Sequence, residues 1–245
     1  AAHRTGGAFD PTVYPLTSAW GFTTGDHRVP STDELAALLP RVGYAAVQVD
    51  EAAGTVTLED GAQIDVGGVA KGFAADELRA LLRERDITSA LFDLGGNVTA
   101  LGSKPDGSPW KVGVADPDDP GKLAGLLEVR DATVSTSGAY QRYFEGKDGT
   151  RYHHLLDPST GYPAASDLAS ASVVGADGAQ CDALSTACFV LGLDGALDLW
   201  RAAAADGDAA FDLVLIASDG RTFVTDSIAD AYTPAAGTNA QVVRS

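Results

Sequence analysis

The chain has 245 residues, 45% of them apolar and 21% charged, enough to bury a sizeable core and ordinary for a globular protein. Lys and Arg number 17 against 34 Asp and Glu, a net charge of -17, which argues against nucleic acid as a partner because phosphates demand a basic surface. No run approaches the roughly 18 apolar residues of an integral membrane span, and the start, "AAHRTGG", carries neither methionine nor a signal-peptide pattern, so the natural N-terminus is expected to have been removed.

In chain order, "VPSTDELAALLP" places Ser31 and Glu34 as a capping box and Pro40 as a stop, which predicts a helix over residues 32–39. "AAVQVDEAAGTVTLEDGAQIDVG" alternates apolar and polar residues around Gly54 and Gly61 and reads as short antiparallel strands. Residues 69–85 read as a helix whose apolar face carries Ala74, Leu78, Leu81 and Leu82. "SALFDLGGNVTALGS" is strand, glycine turn, strand. "PWKVGVADPDDPGKLAGLLEVRD" gives two more strands joined by a Pro/Asp/Gly loop at 116–121.

"TVSTSGAYQRYFEGKDGTRYHHLLDPSTGYP" reads as strands with a hairpin turn at Lys147-Asp148-Gly149 and a second turn from Asp157 to Gly161. "LASASVVG" is a strand, followed by helices near 179–191 and 195–204, and "FDLVLIASDGRTFVT" closes with a hairpin. No internal repeat or low-complexity linker divides the chain, so the expected fold is a single α+β domain with mixed and antiparallel sheets and packed helices. Cys181 and Cys188 lie seven apart in one predicted helix, about 10 Å at 1.5 Å rise per residue, too far to bridge each other.

Four segments bear on chemistry, each with a plainer structural reading beside it. "DVGGVAKGFAAD" brings three glycines and Lys71 to a helix start, where free N–H groups attract an anion. It matches neither a P-loop nor a dinucleotide fingerprint, and taken alone it is better explained as a tight strand-to-helix turn with a solvated lysine. "LFDLGGNVTALG" has a Gly-Gly pair that permits close ligand approach, or is only a hairpin turn.

The segment from Ser137 to Gly161 gathers Ser137, Tyr140, Arg142, His153, His154, Asp157 and Thr160, more polar chemistry than a turn needs. His153 and His154 must face opposite ways on a strand. In "CDALSTACFVLG", Asp182 and Thr186 lie four apart, on one face of a helix that is apolar nearly all round. A buried carboxylate needs a partner. The plainer reading is an Asp near its own helix N-terminus with Thr186 bonded back to its turn. The alternative is a pair of hard oxygen ligands for Mg²⁺, which would let an acidic protein hold a pyrophosphate.

Taken in order, "AFDPTVYPL", "DVGGVAKGFAAD", "DLGGNVTALG", "STSGAYQRYF", "YHHLLDPSTGYP" and "DALSTACFVLG" resemble the serial motifs of the ApbE-type FAD:protein FMN transferases. The resemblance runs from about Gly7 to the C-terminal hairpin and implies one flavin-transferase domain over 1–245. It also implies a family segment upstream of Phe9, a Met-Gly-Thr strand and a long helix, that this sequence does not contain. The implied activity is Mg²⁺-dependent transfer of FMN from FAD to a threonine of a partner flavoprotein, with release of AMP.

Carried over by motif, Asp182 and Thr186 would be metal ligands, joined by a backbone carbonyl of the glycine loop, that of Ala70. Lys71 would lie by the pyrophosphate and assist catalysis with Asp157, and His154 would be the general base. Tyr14, Gly68, Gly95, Gly96, Asn97, Ser137, Gly138, Asp157 and Thr160 would line the FAD pocket together with Lys71 and His154. The implied partner is an acceptor bearing a Ser/Thr-Gly-Ala-Thr-type motif. Here "TSGAY" has Tyr140 in place of that threonine, so the chain reads as donor enzyme and not as self-modified carrier. Two other readings use the same residues: an FAD pyrophosphatase giving FMN and AMP, and a non-catalytic flavin-delivery protein. Family members are often tethered facing outward, so an extracytoplasmic, membrane-associated setting is the expectation from resemblance.

Overall fold

A computed structural model describes residues 1–119, 121–206 and 211–245. Its helices are α1 (Tyr14–Ala19), α2 (Thr32–Leu38), α3 (Ala70–Glu84) and α4 (Gly178–Asp206). The strands run β1 (Val47–Asp50), β2 (Thr55–Leu58), β3 (Ala90–Asp93), β4 (Asn97–Leu101), β5 (Trp110–Ala115), β6 (Leu123–Val129) and β7 (Thr133–Gly138). They continue with β8 (Tyr143–Glu145), β9 (Arg151–His153), β10 (Leu168–Gly175), β11 (Asp212–Ala217), β12 (Thr222–Thr225), β13 (Tyr232–Pro234) and β14 (Ala240–Val243).

Local signals explain most of these boundaries. Ser31 Oγ accepts from the Glu34 amide at 3.1 Å, so the capping box starts α2 as expected. The hairpin between β8 and β9 closes through Gly149, whose positive φ of 78° suits glycine. Gly192 interrupts α4 with φ 72° and ψ -175°, between the two helices that the sequence predicts. The Asp167 carboxylate accepts from the Leu193 amide at 2.8 Å and restarts the second segment. Within the predicted loop at 116–121, Pro120 lies outside the described residues. Only the first part of the segment around Gly54 and Gly61 is sheet: β1 and β2 pair, while residues 62–66 are irregular and a turn at 67–69 leads into α3. Helix α1 and strands β13 and β14 have no counterpart in the sequence reading.

The main sheet has the order β14-β12-β11-β10-β7-β4-β3, antiparallel except for the β12/β14 pair. Side chains alternate between its faces. On one face Ala171, Val173, Leu213 and Leu215 pack against Leu184, Cys188, Phe189 and Trp200 of α4. On the other, Val134, Val174, Val214 and Ile216 meet Val112, Val114 and Leu127 of a smaller β13-β6-β5 sheet. Covering on both faces explains the nearly unbroken apolar runs of β10 and β11. Helix α4 is long and apolar enough to cross a bilayer, but its apolar length is spent on this core. A satellite cluster of Leu16, Trp20, Leu35 and Leu156 joins α1, α2 and the β8/β9 hairpin.

Helix α3 departs from expectation in its face. The buried residues are Gly72, Ala75 and Arg79, while Phe73 and Leu81 are exposed and Leu78 and Leu82 half-buried. The predicted stripe of Ala74, Leu78, Leu81 and Leu82 is therefore not the packed one. Close approach to α4 selects the other face: a Cβ added at Gly72 would lie 2.0 Å from the Gly178 carbonyl oxygen, and one at Gly178 would lie 2.7 Å from that of Gly72. Two hydrogen atoms let the backbones touch there. An exposed helical Gly→Ala change is ordinarily stabilising by about 0.5–1 kcal/mol. Gly72→Ala, by contrast, should lower unfolding free energy by at least about 1–3 kcal/mol, because backbone cannot swing aside as a side chain can. A urea titration with an unchanged or raised midpoint would rule out this packing.

Candidate functional site

The start of α3, the start of α4 and strands β4 and β7 converge, and carboxylates tie them. Asp182, in the second turn of α4, is 4% exposed and its Oδ2 accepts from the Gly72 amide at 3.0 Å. Reciprocally, Asp76 of α3 accepts from the Gly178 and Ala179 amides, both at 3.0 Å, and so caps α4. Arg79, itself 8% exposed, pairs with Asp76 at 2.6 Å and donates to the Ala176 carbonyl. Each helix thus supplies the acceptor for the other's free N–H groups.

Beside this junction lies a buried polar layer. Asn97 of β4 pairs directly with Ser135 of β7, and Ser137 follows two residues on along the same face. The Ser135 hydroxyl lies 2.9 Å from Asn97 Oδ1 and 3.4 Å from Asp182 Oδ1. Ser137 Oγ is 2.8 Å from Ser185 Oγ and 3.3 Å from Thr186 Oγ1. Ser185, not Thr186, bonds back to its own turn, donating to the Asp182 carbonyl at 2.8 Å. O–H···O bonds run at about 2.5–3.0 Å. By that measure Asp182 Oδ1 and Thr186 Oγ1, one turn apart, keep lone pairs free.

That donor set fits a hard cation. It offers one carboxylate oxygen and one hydroxyl, and two residues before the amide that Asp182 holds stands Ala70, whose carbonyl would be the third ligand. Mg²⁺ takes few protein ligands and completes its shell with water and phosphate oxygens. No cluster of three or more His, Cys, Asp or Glu able to hold a metal exists among the described residues, so an ion here would rely on this mixed set. The free cysteines are buried in the core, with thiols pushed up to about 12 by burial, and take no part.

The glycine segments shape the same corner. Gly95 and Gly96 have φ of 66° and 96°, and the Gly96 amide donates to Asp93 Oδ1 at 2.7 Å. A Cβ at Gly95 would sit 3.8 Å from Lys71 Cδ, so the Lys71 stem lies against this turn. Gly68 lies beneath the Phe9 ring, which packs on Ala183 and Ala187 of α4. Tyr14 opens α1, half-buried, and its carbonyl accepts from Thr17 at 3.1 Å. Gly138 lies under the Tyr140 ring. Asp10 is a residue that the sequence reading passed over: buried, it accepts from the Thr12 amide and hydroxyl and from the Tyr44 amide, holding residues 9–17 in place. A small Asp-Pro-Thr triplet was its only signal.

His153 and His154 face opposite ways as strand alternation requires. His153 packs edge-on against Phe189 of the core. His154 Nδ1 lies 3.1 Å from the Arg142 carbonyl, and because a carbonyl only accepts, Nδ1 carries the proton and Nε2 keeps its lone pair. Burial pushes the His154 pKa down to about 4; the Arg142 carbonyl opposes this, and the positive charges of Arg142, His153 and Lys71 deepen it. Asp157 and Thr160 lie in the following turn: Asp157 Oδ1 accepts from the Ser159 amide and hydroxyl at 2.8 and 2.7 Å, and Thr160 Oγ1 accepts from Tyr162 at 3.3 Å. Trp20 Nε1 fastens this turn through the Gly161 carbonyl at 2.7 Å. The structure thus joins Ala70, Lys71, Asn97, Ser137, Asp182 and Thr186 at one corner. It gives Asp157 and Thr160 turn-forming bonds.

A sequence model described as the ApbE family matches residues 1–211. An FAD:protein FMN transferase of Treponema pallidum is 41% identical over 215 residues, covering 82% of this chain and 59% of the relative. One from Klebsiella pneumoniae is 38% identical over 189 residues, covering 76% and 58%. The chain therefore spans under two thirds of the length of these curated relatives. Among solved structures, the ApbE protein of Thermotoga maritima superposes with a TM-score of 0.84 at 36% identity, covering 94% of this chain and 74% of that one. The apo flavinyl transferase ApbE of Pseudomonas stutzeri gives 0.77 at 33% identity, covering 94% and 70%.

The His154 environment has a measurable consequence. An imidazole ordinarily titrates at 6.5 and here near about 4, so between those values the unfolded chain binds the extra proton. Stability should rise with pH across that window and be lost as pH falls through it, with His153, also lowered by burial, adding to the slope. NMR titration should show the His154 ring midpoint near about 4, and His154→Gln should flatten the stability profile between the two values. A ring midpoint at the ordinary value would contradict the half-buried, carbonyl-bonded placement.

Proposed function

The chain belongs to the ApbE family, and from that premise we propose that it transfers the FMN moiety of FAD to a threonine hydroxyl of a partner flavoprotein, with Mg²⁺ as cofactor and AMP as leaving group. The single observation that carries this reading is the pair of under-bonded oxygens, Asp182 Oδ1 and Thr186 Oγ1, beside the start of α3. Asp182, Thr186 and the Ala70 carbonyl would hold the ion, and Mg²⁺ when bound supplies neutralisation of charge on the pyrophosphate.

The rest falls to the chain's own groups. The N-terminus of α3 and the Lys71 ammonium favour the anionic pyrophosphate. The acceptor hydroxyl attacks the FMN phosphorus, forming a new P–O ester as the bridging P–O bond to AMP breaks, and AMP departs with that bridging oxygen. Nε2 of His154 takes the hydroxyl proton, since Nδ1 is held by the Arg142 carbonyl. In the free protein the imidazole is a weak base, because burial and neighbouring cations hold it low. A pyrophosphate beside Lys71 would offset those charges, a smaller effect than the burial that holds the imidazole low. The acceptor is expected to present a Ser/Thr-Gly-Ala-Thr-type segment.

Incubating the protein with FAD, Mg²⁺ and a threonine-bearing acceptor domain tests this. Covalent flavin fluorescence on the acceptor with equimolar AMP is the expected result; free FMN would mark a pyrophosphatase and intact FAD a carrier. Asp182→Asn should reduce AMP release by more than about 100-fold, the scale of several kcal/mol of lost charge stabilisation. His154→Gln should reduce it by about 10²–10⁴-fold. Full activity in the Asp182 variant would refute the metal assignment.

A further inference from the structure

Asn97 is fully buried, and its Nδ2 has no hydrogen-bond partner among the described residues. A buried amide that leaves its donors unpaired is costly, about 1–3 kcal/mol, so its place in the layer calls for an explanation. Proton accounting among the neighbours shows what the carbonyl end of that amide does. Each hydroxyl has a single proton to give. Ser185 gives its own to the Asp182 carbonyl, 2.8 Å away. Ser137 then donates to Ser185 Oγ, also 2.8 Å away. Ser135 lies within reach of three acceptors: Asn97 Oδ1 at 2.9 Å, and Asp182 Oδ1 and Ser185 Oγ at 3.4 Å.

Without Asn97, the Ser135 proton would go to the carboxylate, because an ionised acceptor makes a hydrogen bond roughly twice as strong as a neutral one. That bond would take one of the two lone pairs of Oδ1 and draw negative charge away from the one left to face a cation. The carbonyl end of Asn97, fixed directly opposite Ser135 by the β4/β7 register, draws the proton away. We propose that Asn97 is a positioning residue that keeps Asp182 Oδ1 free for a divalent cation by holding the Ser135 hydroxyl. This rests on the metal reading of Asp182 given above, and it assigns Asn97 a place behind the cation site.

The proposal makes a prediction of sign that simple packing does not. Mn²⁺ binding in the presence of ADP, followed by the EPR signal of free Mn²⁺, provides a readout independent of turnover. Asn97→Leu should weaken Mn²⁺ binding by about 10–100-fold, the range for groups that orient a metal ligand. Ser135→Ala, which removes the competing proton, should bind within about threefold of the unchanged protein or more tightly. The double variant should recover to near that level, whereas lost packing at Asn97 would leave it as weak as Asn97→Leu alone. Wild-type affinity in Asn97→Leu, or no recovery in the double variant, would overturn the proposal. Should Asn97→Leu fail to fold, as judged by near-UV circular dichroism, Ser135→Ala alone decides: a loss beyond tenfold would show that Ser135 serves the ion directly. If Asp182→Asn retains full Mn²⁺ affinity, the metal reading itself falls. If Asp182→Asn loses Mn²⁺ while Asn97→Leu does not, only the role of Asn97 falls.

Discussion

Everything at this corner of the molecule depends on two carboxylates exchanged between two helices. Asp182 of α4 receives the Gly72 amide of α3, and Asp76 of α3 receives the Gly178 and Ala179 amides of α4. Hydrogen bonds to a charged acceptor contribute about 1.5–3 kcal/mol each, and placement at a helix N-terminus adds a few tenths to about 1 kcal/mol. Those gains must offset the desolvation of Asp182, and they can only because Gly72 and Gly178 let the backbones approach. A side chain at either glycine would push the amides away from their acceptors. The buried Arg79 closes the arrangement by neutralising Asp76.

The same exchange answers how a chain of net charge -17 can present an anion-binding corner. Bulk charge acts through salt and falls off within about 10 Å, whereas helix ends and a single ammonium act locally. The N-terminus of α3 and Lys71 supply the positive field, and Asp182 brings a carboxylate oxygen into it without filling it. The His154 imidazole is lowered first by burial, and only then by the charges of Arg142, His153 and Lys71. A group tuned this way is neutral and holds its Nε2 lone pair across the physiological range, which is the state a proton acceptor needs.

Much of this could be read before any coordinates. The capping box of α2, the Gly95-Gly96 turn, the opposition of His153 and His154 and the break in α4 follow from local rules that the chain obeys. The buried face of α3 did not follow, because periodicity ranks Leu81 above Gly72, while the decisive quantity is how closely another backbone comes. Nor did the hydroxyl layer of Asn97, Ser135, Ser137 and Ser185. A buried strand is ordinarily recognised by apolar residues, and serines on alternate positions of β7 look like a solvated face until α4 is laid over them. The spacing of Asp182 and Thr186 showed a shared face. Which of their oxygens are left unbonded is a property of the assembled layer alone.

The central claim is that a divalent cation sits where α3 and α4 exchange their carboxylates. Soaking crystals with Mn²⁺ and ADP and measuring anomalous scattering tests it most directly. The account predicts one peak in coordinating contact with Asp182 Oδ1, Thr186 Oγ1 and the Ala70 carbonyl, its remaining ligands coming from phosphate and water. A peak elsewhere, with the Ser135 hydroxyl turned onto Asp182 Oδ1, would contradict it.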